Sequence, residues 1–202
     1  MPQPATTKIY DFAAMNAADI RAVAAALKAG AAAVLPTDTV YGLCAACNAR
    51  GALAKLNKIK NNPADKPPQI LCTLEQALRL ASHTESFSRA ARMWPSALTV
   101  VAAASSEAKA LFGGAATVGL RVPVDDFIIN AIELCGGPLF ATSANMHGAP
   151  VCQTPREVMN IFDGRADIIV LRGEIKNLPS AVVDARGAEI KVIRQGACPL
   201  NI

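Results

Sequence analysis

The sequence predicts an α/β domain: a twisted sheet of largely parallel or mixed strands, flanked by helices, with a ligand crevice at the strand ends. Three observations predict it. Strand-like and helix-like segments alternate along the whole chain, without an internal repeat or a convincing linker. Of 202 residues, 52% are hydrophobic and only 4% aromatic, with alanine supplying much of the apolar fraction, which suits helices lying close on a sheet. Several strand patterns also end in polar clusters where a plain turn would suffice.

The elements follow in order. "NAADIRAVAAALKAG" reads as a helix: Asn16 caps it, Ile20, Val23, Ala24 and Leu27 share a face, and Gly30 ends it. "AAAVLP" is a strand. "GALAKLNKIK" is a short helix stopped by the Asn-Asn-Pro turn at 61–63. "QILCT" is a strand, and Thr73 with Gln76 forms a capping box for the helix after it. "ALTVVAAA" and "TVGLRVP" are strands, and "DDFIINAIELCGG" is a helix closed by glycine. "PLFATSAN" is a strand with a polar end. "TPREVMNIF" opens a helix with a threonine cap, proline first and glutamate third. Three short strands, "DIIVL", "AVVDA" and "IKVIR", complete the pattern.

Composition excludes several classes. No apolar run approaches the roughly 20 residues of a membrane span, and the N-terminus lacks a signal peptide's basic and apolar regions, so the expected compartment is the cytosol. Six scattered cysteines are too few for a disulfide framework. The net charge is +4, and Lys55, Lys58, Lys60 and Lys66 fall close together with only Asp65 among them. Such a cluster is a solvated helix face or a site for nucleotide phosphates or an RNA backbone. No aromatic residue interleaves with these lysines, which argues against a stacking platform for single strands.

The polar strand ends carry the functional signal. Pro36-Thr37-Asp38-Thr39 follows one strand and Thr142-Ser143-Ala144-Asn145 another. Arg121 stands among valines and leucine in a third, where an isolated arginine needs a partner. Together they describe one crevice for a small, polar, anionic ligand.

In order and spacing, "LPTDTVYGL", "KNNPADKP", "WPSALTVV", "VGLRVP", "FATSAN", "PSAVVD" and "VIRQGA" resemble the YrdC-like family over about Ala17–Ala197. The resemblance implies a single YrdC-like domain over 16–202 after a lead-in at 1–15, of the single-domain bacterial type. It implies threonylcarbamoyl-adenylate synthesis for tRNA modification: L-threonine, bicarbonate and ATP give threonylcarbamoyl-AMP and pyrophosphate. Magnesium is expected to accompany the ATP, no protein metal site is implied, and partner proteins carry the group onward to tRNA. Such chemistry needs reactants held in line and charge neutralised, with no covalent nucleophile.

The resemblance also implies roles. Thr37, Arg121 and Ser180 match positions at the threonine substrate. Lys60, Lys66, Ser143, Asn145 and Arg194 match positions at the nucleotide, with Lys60 also at the reacting phosphates. Asn62 stands where the family's Lys-x-Arg motif has its arginine, and a neutral amide cannot replace that charged fork. Lys58, two residues upstream of Lys60, is a candidate to compensate. "WPSALT" and "SANMHG" are further departures from the family pattern. A divergent member that binds tRNA, double-stranded RNA or another small ligand is the alternative.

Other motifs read as structural. Cys44-Ala-Ala-Cys47 follows a strand end without a redox helix or a second ligand pair. His83 is a loop residue, Trp94 a core anchor, and "FGGAATVG" a turn without P-loop spacing. His147 adjoins the Ser-x-Asn motif, as a structural neighbour or a ligand contact.

Overall fold

The computed structural model describes residues 6–62 and 69–200. Local signals place the helices. Asn16 caps α1 (Ala17–Lys28), its Oδ1 accepting the Ala18 and Asp19 amides while the Asp19 carboxylate accepts the Asn16 amide. α2 (Ala52–Lys60) ends where Asn61 turns left-handed. Thr73 and Gln76 box the start of α3 (Leu74–Leu80), as their spacing predicts. α4 (Glu85–Ala91) and α5 (Ser106–Leu111) are short helices capped by Thr84 and Ser105. α6 (Asp126–Cys135) runs from the Asp125 cap to Gly136, and α7 (Pro155–Phe162) carries the Thr154–Glu157 box.

Ten strands form one mixed sheet: β1 (Lys8–Asp11), β2 (Ala33–Leu35), β3 (Gly42–Ala46), β4 (Gln69–Leu71), β5 (Leu98–Ala103), β6 (Thr117–Arg121), β7 (Leu139–Ser143), β8 (Ile168–Leu171), β9 (Ala181–Asp184) and β10 (Lys191–Arg194). Their order is β1-β8-β2-β3-β7-β4-β6-β5-β9-β10. The pairs β1–β8, β8–β2, β4–β6 and β5–β9 are parallel, and the remaining pairs antiparallel.

The sheet separates two cores. On one face α1 and α6 pack together, Val23, Ala24 and Leu27 joining Phe127, Ile128, Ala131 and Ile132. The other face buries Leu56, Leu80, Phe87, Trp94, Leu98 and Phe162. Fully burying one such side chain contributes about 1.5–3 kcal/mol. Trp94 is the expected core anchor, its indole N–H donating to the Leu98 carbonyl. His83 is the expected exposed loop residue.

Some elements depart from the sequence pattern. The expected lead-in at 1–15 supplies β1, an edge strand on β8. Cys44 lies within β3, not beyond a strand end, because β2 turns back at Pro36–Tyr41 into an antiparallel partner made of small residues. α4 and α5 were not foreseen, each being too short for its apolar spacing to stand out.

Candidate active site

A cavity of about 930 Å³ opens on the second face, between α2 and the concave sheet. Its floor comes from β4, β5, β6, β7 and the start of β9, and its rim from the β2–β3 loop, the loop before β9, and β10.

The β2–β3 loop is built by its own hydroxyls. Thr37 Oγ1 donates to the Val40 carbonyl at 2.7 Å and accepts the Thr39 and Val40 amides at 3.1 and 3.2 Å. With its proton given to Val40, it also accepts the Thr39 hydroxyl at 3.1 Å. Thr37 thus shapes the loop, and Thr39 and Val40 line the cavity. Tyr41 anchors the far end, donating to the Gly173 carbonyl and accepting the Arg172 amide.

Arg121 finds its partner in the same loop. Nη2 donates to Asp38 Oδ1 at 2.5 Å and Nη1 to Thr39 Oγ1 at 2.8 Å. Nε is buried and has no hydrogen-bond acceptor among the described residues. Nearby, the segment before β9 is fixed from the C-terminal side: Arg194 donates to the Ser180 carbonyl, and the Ala197 amide to the Pro179 carbonyl. A Cβ at Gly196 would overlap the backbone of residues 179–181, so the close approach requires glycine.

Lys60 ends α2 with 2% of its surface exposed. Its ammonium donates to Thr142 Oγ1 at 3.0 Å, the Ser143 carbonyl at 2.5 Å and Asn145 Oδ1 at 2.9 Å. Asn145 Oδ1 also accepts the Ser143 hydroxyl, and Asn145 Nδ2 donates to the Met146 and Ala149 carbonyls. Lysine, serine and asparagine thus form one polar knot behind β7.

The residues marked out by the sequence therefore fall into two layers. Arg121, Ser180, Ser143, Arg194 and Asn62 line the cavity, whereas Thr37, Lys60 and Asn145 brace it. Lys66 lies outside the described residues. Asn62 Oδ1 is buried without a hydrogen-bond partner among the described residues, and Nδ2 reaches only Asn57 Oδ1 at 3.5 Å.

The lysine cluster does not form one patch. Lys55 pairs with Asp167, Lys60 turns inward, and Lys58 is exposed. Lys58 is not among the residues that line the cavity. His147 is exposed, and its backbone amide donates to the Lys60 carbonyl.

Thr39, in the polar strand end that the sequence singled out, lines the cavity, whereas Gln69, Thr99 and Arg50, which also line it, were missed. A glutamine and a threonine in otherwise apolar strands were the available signal. Among the cysteines, Cys47 reaches the cavity edge, where burial holds its thiol well above the usual range and neutral. Burial likewise pushes Cys44 and Cys72 up to about 12. Nucleophilic sulfur chemistry is disfavoured there.

Comparison with known proteins bears on this geometry. The Sua5/YciO/YrdC family model, described as "Telomere recombination", matches residues 25–196. The chain belongs to the Sua5/YciO/YrdC family. Two relatives named threonylcarbamoyl-AMP synthase bracket its size. That of Pyrococcus abyssi is 33% identical over 90% of this chain and 55% of its own length. That of Vibrio vulnificus (strain YJ016) is 32% identical over 88% of this chain and 98% of its own length. The P. abyssi Sua5 structure complexed with L-threonine superposes with a TM-score of 0.85 at 31% identity, covering 96% of this chain and 58% of that one. The Sua5/YciO/YrdC membership accounts for the mixed sheet and for the ordered motifs around the cavity. No helix among the described residues is long and apolar enough to cross a membrane.

Proposed function

We propose that this chain is a threonylcarbamoyl-AMP synthase acting in tRNA threonylcarbamoyladenosine formation. What carries the reading is the convergence of Arg121, Ser180, Ser143 and Arg194, from separate segments of the chain, on one cavity. Its volume lies at the upper end of the roughly 300–1,000 Å³ usual for ligand pockets, room for an amino acid beside a nucleotide.

The threonine amine adds to carbon dioxide, drawn from bicarbonate, giving a carbamate and releasing a proton. A carbamate oxygen then attacks the α-phosphorus of ATP, the bond to the β-phosphate oxygen breaks, and pyrophosphate leaves. Arg121 and Ser180 hold the threonine. Ser143 and Arg194 face the nucleotide, a role the family resemblance also implies for Lys66. Lys60 and Asn145 hold the β7 end in register, and the lysine's charge lowers the potential cost of bringing phosphate there. Thr37 acts through the loop that presents Thr39.

Among the described residues no group of three His, Cys, Asp or Glu side chains is placed to hold a metal. Magnesium is proposed to enter with the phosphates of ATP, where it neutralises charge. The setting is proposed to be the cytoplasm, where partner proteins take up the adenylate and transfer its threonylcarbamoyl group to tRNA. Direct RNA binding gains no support from the lysines, since Lys55 and Lys60 are turned to Asp167 and to β7.

The deciding experiment incubates purified protein with ATP and follows AMP-linked product. Product should require threonine and bicarbonate together. Equal ATP consumption without either would overturn the reading.

A further inference from the structure

Three side chains from three separate segments join across the cavity floor. Gln69 begins β4, Thr99 lies in β5, and Ser180 precedes β9. Gln69 Nε2 donates to Thr99 Oγ1 at 2.8 Å, and Thr99 Oγ1 lies 2.8 Å from Ser180 Oγ. Thr99 and Ser180 are 5% and 3% exposed, so water has little access to either hydroxyl. β6 runs between β4 and β5, and there Gly119 stands in register with Gln69. With no side chain at Gly119, the glutamine can reach over β6 to Thr99.

The direction of this chain follows from its donors. An amide nitrogen can only donate, so Thr99 Oγ1 accepts from Gln69. The Thr99 hydroxyl hydrogen then needs an acceptor, and Ser180 Oγ is the only one it meets among the described residues. Ser180 accepts it, which leaves the serine's own hydrogen to the cavity. The serine backbone is already pinned by Arg194 and by the Ala197–Pro179 bond, so the hydroxyl rotor is the freedom left to set.

We infer that Gln69 and Thr99 are positioning residues whose hydrogen-bond relay fixes Ser180 as a donor toward the carboxylate of the bound amino acid. The inference rests on the synthase reading, in which Ser180 meets threonine. A carboxylate is an acceptor only, so a serine turned the other way would meet it with lone pairs. Arg121 lines the same cavity, its guanidinium already engaged by Asp38 and Thr39. Arg121 Nε, which has no acceptor among the described residues, and an oriented neutral donor at Ser180 are then what the site can add to carboxylate selection.

The test is calorimetry with L-threonine, L-threoninol and ATP on wild type, Gln69→Met, Thr99→Val and the double variant. Both substitutions keep side-chain volume while cutting the relay at its head or its middle. Threonine affinity should fall about tenfold in each single variant, the loss expected for one oriented hydrogen bond. The double variant should be no weaker than Thr99→Val, because the two act in series. Threoninol, which lacks the carboxylate, should bind wild type and variants alike, and ATP affinity should hold. Should Gln69→Met fail to fold, Thr99→Val decides by the same comparison. Equal threonine affinity in wild type and variants overturns the relay and leaves the synthase reading standing. A wild type that binds no threonine, alone or with ATP, overturns both.

Discussion

Arg121 and Asp38 close the crevice as an ion pair, Nη2 to Oδ1 at 2.5 Å, with side chains only 4% and 15% exposed. The pair ties β6 to the β2–β3 loop, 83 residues away in sequence. It also sets a negative charge against the arginine in advance, so on the proposed reading the threonine carboxylate is met by shape and hydrogen bonds more than by net charge.

Removing the acid alone should be costly. Asp38→Ala leaves a buried guanidinium without its counter-charge, for which about 3–5 kcal/mol of lost stability is expected. Urea denaturation measures it. The double variant Asp38→Ala/Arg121→Met should recover most of that loss, since an apolar side chain needs no partner.

Lys60→Met tests the polar knot. The Ser143 carbonyl and Asn145 Oδ1 each lose a charged donor, and stability should fall by about 1–3 kcal/mol. If the β7 end and its neighbouring charge act on the phosphates as proposed, adenylate formation should drop at least about a hundredfold. Affinity for double-stranded RNA, spread over many phosphates, should change little. Unchanged turnover would confine Lys60 to bracing the loop.

Asn62→Arg addresses the neutral position in the cavity wall. The asparagine gives up only a long contact to Asn57, and the arginine gains reach into the cavity. Tighter ATP binding or faster adenylate formation is expected, by roughly ten- to a hundredfold. The gain should shrink as salt rises. Steady-state kinetics at two ionic strengths read both effects, and a loss of ATP binding would show that Asn62 serves a different ligand.

The thiols give a pH prediction. Burial raises Cys44 and Cys72 from 9.0 to about 12, so the folded protein keeps protons that the unfolded chain releases above about pH 9. Stability contributed by these neutral thiols is complete below pH 9 and is lost as pH rises toward 12. Denaturant midpoints should therefore fall through that window, and less steeply in Cys72→Ala when scaled to its own stability at pH 8. At pH 8, a thiol reagent should label Cys198 quickly in the native state and the five buried cysteines only after unfolding.

Short-range chemistry was the legible part. The caps at Asn16, Thr73 and Thr154 involve residues within three positions, and each forms as its spacing predicts. The need for a partner at Arg121 was also visible, because a charge in an apolar strand is costly anywhere. Which residue answers it was not, since Asp38 reaches it only through the sheet order. The same holds for Gln69, Thr99 and Ser180, which look unrelated until β4, β6, β5 and β9 lie side by side. The resemblance placed Lys60 at the nucleotide, but that its ammonium would turn inward onto the β7 end was not legible, because β7 meets α2 only through the fold.

The pairing of β1 with β8 sets a timetable for biosynthesis. Lys8 lies opposite Ile168, so the first strand leaves the ribosome long before its neighbour exists. At about 5–20 residues per second, the interval is roughly ten to thirty seconds. Throughout it, the hydrogen-bonding edge of Lys8–Asp11 has no sheet to join, and pairing across so long a loop is intrinsically slow. The nascent chain should therefore depend on chaperones that shield its N-terminal segment until the eighth strand arrives.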